Sequence, residues 1–296
     1  MVQPAHPCVT RVRTADGVGL HVESSGDGPP VVLIHGLGYA TWAAQPIHTT
    51  LATAARLVTF DNRGSGRSDK PAGPYTIRLL AEDAASVIAH AGGPVHLVGY
   101  SMGGYIALTV ALRHPHLVRS LVLIATSAGG PDSQDVPEET RRAWAAAAEA
   151  QDPGEFARRT MPLSFRPGWT DAHPQRFEEI LRARLAHPTP IAAWQAQYDA
   201  CAAYLATGVQ ASRVHVPTLI VHGTADRVVP YANARPLAAA IPQARLVTRV
   251  GAGHLCWFEE PDQIGSVIAG FIRGTAAVTD VPNADPQHLP PDGRAP

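Results

Sequence analysis

The chain has 296 residues, enough to bury one large core or one core with a substantial insertion. Its formal net charge is −1 and it contains no long basic run, which argues against a nucleic acid as a partner. The three cysteines, Cys8, Cys201 and Cys256, stand at unrelated spacings and predict neither a disulfide framework nor a zinc knuckle.

The N-terminus predicts neither export nor a membrane anchor. Residues 1–7 carry no charged start followed by an apolar stretch, and the sequence contains no run of about 18 apolar residues. Together with the unpaired cysteines, this predicts a soluble, cytoplasmic protein in a reducing compartment. The sequence does not indicate an oligomeric state.

Short apolar strands and helices alternate over the first 128 residues. Residues 9–13 and 18–23 flank an Asp-Gly turn and predict an antiparallel hairpin at a sheet edge. The later strands are continuous apolar runs, as expected of strands buried on both faces. They are expected at residues 31–34, 56–60, 95–98 and 117–125. Because helices separate them, as from Thr76 to His90, the order implies a parallel sheet with right-handed crossovers.

Two glycine-rich turns follow the strands at residues 31–34 and 56–60. The first, residues 35–38, reads H-G-L-G, and we interpret His35 as a structural turn residue rather than a catalytic base. The second, residues 61–68, lacks a complete G-x-G-x-x-G pattern, and no Walker lysine follows it. We therefore predict a structural loop there and not a phosphate site.

A third turn, G-Y-S-M-G at residues 99–103, joins a predicted strand directly to a predicted helix. So short a turn forces the central Ser101 into a strained conformation, and the glycines remove the Cβ atoms that would clash. The Ser101 hydroxyl is then expected to stand free above the sheet. The backbone N–H of Met102, at the helix start, has no intrahelical partner and is available to an anion.

A G-x-S-x-G turn in this setting resembles the nucleophile turn of the α/β-hydrolase superfamily, and the resemblance extends from about residue 14 to residue 274. It implies an α/β-hydrolase fold, a mostly parallel twisted sheet flanked by helices, with a helical cap insertion. It also implies a serine nucleophile at Ser101. The oxyanion hole would then consist of the backbone N–H groups of Leu37, from the H-G-x-G turn, and Met102.

Residues 129–213 break the alternation, since they contain no convincing strand. Ala-rich and Arg-rich helical segments, separated by prolines, fill this stretch. We predict a helical cap inserted over the carboxyl ends of the strands, where open α/β sheets bind ligands. The core would then comprise residues 1–128 and 214–274. The Pro-, Asp- and Gly-rich residues 275–296 are expected to form a disordered tail.

Two motifs follow the strands predicted after the cap. Asp226 lies in a G-x-x-D-x-x-x-P pattern just beyond residues 218–223, and His254 follows the last strand and precedes an E-E-P sequence. The resemblance assigns the triad acid to Asp226 and the base to His254. The order Ser101, Asp226, His254 is that of α/β-hydrolases, and each comes at the carboxyl end of a predicted strand. The implied chemistry is an acyl-enzyme on Ser101 that water hydrolyses.

The resemblance implies a serine hydrolase of a small-molecule carboxylic ester or lactone, similar to enol-lactonases, carboxylesterases and cofactor-free haloperoxidases. No histidine pair has metal-ligand spacing, so we expect neither a metal nor a cofactor. Serine rather than aspartate at position 101 argues against the chemistry of dehalogenases and epoxide hydrolases. Cys256 is interpreted as a buried packing residue rather than a rival nucleophile.

Two other functions are open. One is a C–C bond hydrolase of ring-cleavage products, although those enzymes commonly carry tryptophan directly after the catalytic histidine, where this chain has Leu255. The other is a non-hydrolytic ligand receptor on the same fold.

Cap arginines Arg141, Arg158 and Arg166 could pair with a substrate carboxylate, but solvated helix faces explain them equally well. Large apolar side chains of the cap are consistent with an apolar pocket, although they could equally form the core of the cap. These are Trp144, Phe156, Met161, Phe165, Trp169, Phe177, Trp194, Tyr198 and Tyr204.

Overall fold

The computed structural model describes residues 7–274, so the tail expected at residues 275–296 lies outside the described residues. Within this range eight strands form one sheet in the order β1-β2-β4-β3-β5-β6-β7-β8. The strands are β1 (Cys8–Arg13), β2 (Gly19–Ser25), β3 (Pro30–Ile34), β4 (Arg56–Phe60), β5 (Val95–Tyr100), β6 (Val118–Ile124), β7 (Thr218–Gly223) and β8 (Ala244–Arg249). Strands β3 to β8 pair in parallel, and β1 and β2 form the antiparallel hairpin predicted at one edge. The predicted fold class is confirmed.

Helices connect the strands and cover both faces of the sheet. Before β7 they are α1 (Gln45–Ala54), α2 (Ile77–His90), α3 (Met102–Arg113), α4 (Glu138–Ala148), α5 (Pro153–Thr160), α6 (Trp169–Ala172), α7 (Pro174–Ala186) and α8 (Ile191–Thr207). After β7 they are α9 (Ala234–Ala240), α10 (Cys256–Glu259) and α11 (Pro261–Ile272). Helix α2 begins where its sequence predicts, because the Thr76 side chain accepts a hydrogen bond from the Leu79 amide at 3.0 Å.

The continuous apolar runs of the central strands are explained by burial on both faces. In β3, Val32 and Ile34 belong to the core formed with helices α2 and α3. Val31 and Leu33, which point the other way, belong to the core formed with α1 and α11. Alternate residues of one strand therefore serve two separate cores, which is why no polar residue interrupts the run.

Between β6 and β7 the described chain contains helices α4 to α8 and no strand. We call residues 129–213 the helical segment. Hydrogen bonds join it to the turns beyond the strands: the Leu255 amide donates to Ser164 O at 2.8 Å, and Gly38 N donates to Gln197 Oε1 at 2.9 Å. These contacts place the helical segment against the carboxyl ends of the parallel strands. No helix in residues 7–274 is long and apolar enough to cross a membrane.

Candidate active site

Ser101 lies between β5 and α3 in a backbone conformation that L-residues rarely adopt, with φ 53° and ψ −124°. The neighbouring glycines make this turn possible. A Cβ on Gly99 would overlap the carbonyl oxygen of Gly103, and a Cβ on Gly103 would overlap the carbonyl oxygen of Ile34. Because the overlapping atoms are backbone, they cannot move aside as a flexible side chain could. The strand, the turn and the helix therefore pack closely only with glycine at both positions.

The backbone of Ser101 is fixed by β6 and the residues after it. Its amide donates to Ile124 O at 2.9 Å, and its carbonyl accepts from Thr126 Oγ1 at 2.9 Å. The side chain, by contrast, is partly exposed, and its hydroxyl makes no hydrogen bond within residues 7–274. Ser101 is thus held by its backbone while its Oγ is left available.

Asp226 follows β7 and uses both carboxylate oxygens. Oδ1 accepts from the amides of Val228 at 2.8 Å and Val229 at 2.9 Å, and Oδ2 accepts from His254 Nδ1 at 2.8 Å. Burial alone would raise the pKa of this carboxyl, but its electrostatic interaction with His254 and hydrogen bonds from two histidines outweigh burial and hold the pKa well below its usual range. Asp226 therefore stays ionised, as a group that orients an imidazole must.

His222 is a second histidine at the same carboxylate, which the sequence interpretation missed. Its Nε2 lies 3.2 Å from Asp226 Oδ2 and 2.9 Å from the carbonyl oxygen of Val229. Because a carbonyl can only accept, Nε2 carries the proton. A signal was present, since a histidine in the apolar strand T-L-I-V-H-G is a polar group in a fully buried position. Such a group requires a partner.

His254 lies on the loop after β8 with 4% of its surface exposed. The glycine before it is required by the helical segment, because a Cβ on Gly253 would overlap the backbone of Phe165 and Arg166. The Glu259 carboxylate joins the same two elements: it accepts from the Arg166 amide at 2.7 Å and from the Gly253 amide at 3.2 Å. The loop that carries the candidate base is therefore bonded to the helical segment.

The turn of residues 35–38 lies directly against Ser101. A Cβ on Gly36 would be 2.8 Å from the Tyr100 ring and 3.2 Å from Ser101 Cβ, so a side chain there would displace the ring and crowd the serine. The backbone N–H groups of Leu37 and Met102 have no hydrogen-bond partner among the described residues. Two unpaired amides beside an available hydroxyl are the arrangement that an oxyanion hole requires.

His35 and the loop of residues 61–68 have structural contacts, in agreement with their interpretation from the sequence. His35 Nε2 lies 2.5 Å from Thr59 Oγ1, and burial lowers the pKa of His35 to about 3, so its ring is neutral. Asn62 donates through Nδ2 to the His35 carbonyl at 2.9 Å. Asp61 accepts from the amides of Thr41 at 2.6 Å and Arg67 at 2.7 Å. This loop supports the turn beside the nucleophile.

Cys256 is fully buried, and burial raises the pKa of its thiol, which therefore stays protonated and unreactive. In the part of the chain that is described, no group of three or more His, Cys, Asp or Glu side chains could hold a metal ion.

The arginines and aromatic residues that the sequence nominated in the helical segment have defined partners in the structure. Each arginine that the sequence nominated for a substrate carboxylate lies beside a glutamate. These pairs are Arg141 with Glu138, Arg158 with Glu178 and Arg166 with Glu259. Trp194, which stacks on Tyr198 at 5.3 Å, is the aromatic residue that reaches the turn of residues 35–38: its Cδ1 would be 2.8 Å from a Cβ on Gly38.

Comparisons with known proteins identify the family of the chain. The family model described as alpha/beta hydrolase fold matches residues 29–261. BpoC of Mycobacterium tuberculosis, a candidate non-heme bromoperoxidase, is 28% identical over 88% of this chain and 100% of its own. An esterase from Thermogutta terrifontis has 27% identity and a TM-score of 0.77 over 90% of this chain and 98% of its own. The enol-lactonase from Burkholderia xenovorans LB400 has 26% identity and a TM-score of 0.77 over 89% of this chain and 100% of its own. Because the family model covers most of the sequence, the chain belongs to the alpha/beta hydrolase fold family.

Proposed function

We propose that the protein is a serine hydrolase that cleaves a carboxylic ester or lactone through an acyl-enzyme on Ser101. The observation that carries this proposal is the buried hydrogen bond of 2.8 Å between His254 Nδ1 and Asp226 Oδ2, at the same sheet edge as the strained Ser101. An imidazole whose Nδ1–H is donated to a carboxylate presents a basic Nε2 on its other side. This is the nitrogen that activates a serine hydroxyl.

The reaction then follows from the assigned protons. His254 Nε2 takes the proton of Ser101 as Oγ attacks the substrate carbonyl carbon, and Asp226 stabilises the imidazolium. The imidazolium gives this proton to the leaving alkoxide, which departs as the alcohol. Water next attacks the acyl-enzyme, His254 accepts its proton, and Ser101 recovers a proton as the acid leaves.

The Leu37 and Met102 amides are assigned to the oxyanion of both tetrahedral intermediates. Their lack of other partners and the proximity of Gly36 to Ser101 support this role. Loss of one such donor typically costs about 2.7–4 kcal/mol of transition-state stabilisation. The substrate class, an ester or lactone, is supported by the similarity to the esterase and the enol-lactonase. The position after the histidine, Leu255, is fully buried in the apolar core.

The test is hydrolysis of p-nitrophenyl acetate by wild type, Ser101→Ala and the control Ser86→Ala, whose hydroxyl donates to Glu82 O on helix α2. We expect Ser101→Ala to be inactive and stable, because no core packing rests on its hydroxyl. Diisopropyl fluorophosphate should label Ser101 alone. Turnover that persists in Ser101→Ala would remove the nucleophile assignment. Ligand binding by a wild type that shows no turnover of any ester would favour a receptor instead.

A further inference from the structure

We propose that Gln197 is a positioning residue that holds the oxyanion turn, residues 36–39, and so makes turnover depend on the helical segment. Gln197 lies in the middle of α8 and has 0% of its surface exposed. A buried polar side chain in a helix otherwise rich in alanine needs specific partners. The inference rests on the proposed function, because it concerns the Leu37 amide of that mechanism.

All hydrogen-bond partners of the Gln197 side chain lie on loops at the sheet. Oε1 accepts from the Gly38 amide at 2.9 Å, and Nε2 donates to Arg63 O at 2.9 Å and Ser65 Oγ at 3.0 Å. The orientation of the carboxamide is therefore determined: the Gly38 N–H must meet an acceptor, and the Arg63 carbonyl must meet a donor. In the reverse orientation, Nε2 would face the Gly38 N–H, donor against donor. Oε1 would face the Arg63 carbonyl, acceptor against acceptor.

The bond to Gly38 fixes the conformation of the turn. The Tyr39 amide donates to Gly36 O at 3.1 Å, which places Leu37 and Gly38 at the centre of a β-turn. Gly38 has φ 70° while Leu37 keeps a negative φ, the combination of a type II turn. In a type I turn the central peptide, Leu37 C=O and Gly38 N–H, is rotated by about half a turn. Gln197 accepts from this N–H and so stabilises the type II form.

The bond to Gly38 also anchors the turn that carries the preceding donor, the Leu37 N–H. The Leu37 N–H and the Gly36 carbonyl belong to the peptide unit before the central one. This carbonyl accepts the hydrogen bond from the Tyr39 amide that closes the turn. Rotation of the central peptide changes only ψ of Leu37, but without the anchor at Gly38 the whole turn would be free to shift and to carry the Leu37 N–H, the candidate oxyanion donor, away from Ser101. A fixed donor stabilises charge without reorganising during the reaction. Gln197 therefore acts on the transition state through Leu37 and does not touch the substrate.

Three variants test the role of Gln197. Gln197→Leu removes both polar ends, and Gln195→Leu is the matched control, because Gln195 is an exposed residue of the same helix that bonds only Asp199. We expect Gln197→Leu to lower kcat for p-nitrophenyl acetate by about 10- to 100-fold with KM changed by less than about twofold, less than the loss of an oxyanion donor itself. Affinity for trifluoromethyl butyl ketone, which forms a tetrahedral oxyanion on the serine, should fall by the same factor as kcat. Gln195→Leu should match wild type in kcat, in KM and in affinity for the ketone.

Gln197→Glu gives a readout that a purely structural contact would not produce. Its carboxyl keeps the acceptor for Gly38, but only the protonated form can donate to Arg63 O, and burial favours that form. The ratio of its kcat to that of wild type should therefore rise as the pH falls from 8 to 6. If Gln197→Leu does not fold, the pH dependence of this kcat ratio tests the inference by itself. A ratio that does not change between pH 8 and pH 6 overturns the inference.

The outcomes separate this inference from the proposed function. Wild-type turnover that Ser101→Ala does not reduce overturns the proposed function, and the inference with it. Turnover that Ser101→Ala abolishes but Gln197→Leu retains, with unchanged affinity for the ketone, overturns the role of Gln197 alone.

Discussion

The elbow at residues 99–103 and the oxyanion turn at residues 36–39 meet at Ser101 but are held in different ways. The elbow takes its close contacts and its backbone hydrogen bonds from the sheet, through Ile34 and Ile124. The oxyanion turn is held on its outer side by the helical segment, through Gln197 and Trp194. One half of the candidate site is therefore held by the sheet, and the other is bonded to the helical segment.

The loops that carry the candidate acid and base are also bonded to the helical segment. Arg227, next to Asp226, donates to the carbonyls of Pro162 at 3.1 Å and Phe165 at 3.3 Å. The base loop is bonded through Glu259 and the Leu255 amide. Hydrogen bonds thus join the helical segment to the loops that carry the candidate acid and base. Changes in the elbow should affect folding, and changes at the segment should affect rate and selectivity.

The largest effect is expected from Asp226→Asn, which removes the acid without disturbing either half. The asparagine oxygen can still accept from the Val228 and Val229 amides, but its NH₂ group would face His254 Nδ1 and impose the wrong tautomer. We expect kcat to fall by about 10⁴-fold, as in comparable triads, with the fold retained. Ester hydrolysis and urea unfolding of the same preparation measure both quantities. A loss of less than about tenfold would show that Asp226 does not orient the base.

The second prediction concerns a substitution that disrupts the elbow. In Gly103→Ala the added Cβ meets the Ile34 carbonyl, which is backbone in the central strand, so we expect a loss of about 3 kcal/mol in the free energy of unfolding. The control is Gly154→Ala, at the start of α5, where the nearest contact is the Asp152 side chain at 3.1 Å. This helical position should change by less than about 1 kcal/mol. Equal stability of the two variants would mean that the elbow tolerates a side chain.

The third prediction tests the helical segment as the element of selectivity. Trp194→Ala removes the aromatic residue that reaches Gly38, and Trp144→Ala removes one that packs behind it, 5.9 Å from Trp194. We expect Trp194→Ala to change the preference among acetate, butyrate and octanoate esters by about 1–3 kcal/mol, and Trp144→Ala to change it less. The measurement is kcat/KM for each ester. A uniform decrease for all three esters in both variants would make the segment a structural cover only.

The smallest effect is the pH dependence of stability that Asp226 produces. Its pKa is depressed in the folded protein, so its contribution is complete above the unfolded value of about 3.9 and is lost as the pH falls. The difference in unfolding free energy between wild type and Asp226→Asn should therefore shrink from pH 5 to pH 3. Urea unfolding at each pH measures it, with the exposed Asp199→Asn as the control. A constant difference would mean that the carboxylate gains nothing from its partners.

The local sequence was sufficient to predict a feature wherever the structural requirement for that feature is local. The G-x-S-x-G elbow could be predicted because a sharp turn from strand to helix needs glycine within two residues of the serine. The apolar run at Val31 to Ile34 predicted a strand buried on both faces, and Thr76 predicted the start of α2. Asp226 and His254 were proposed from motifs directly after strands, whose carboxyl ends share one sheet edge in any parallel arrangement.

The partners of Gln197, His222 and Glu259 were decided by the tertiary structure. Gln197 meets Gly38 across 159 positions of sequence, and its helix carries other polar side chains, such as Gln195 and Asp199, that face solvent. Nothing in the pattern of α8 distinguishes the buried glutamine from these. A hydrogen bond depends on distance and direction between two atoms, and for residues so far apart only the packing of α8 against the sheet loops brings the atoms together. The sequence by itself therefore determined the fold and the candidate triad, and the packing of the helical segment decided how the oxyanion turn is held.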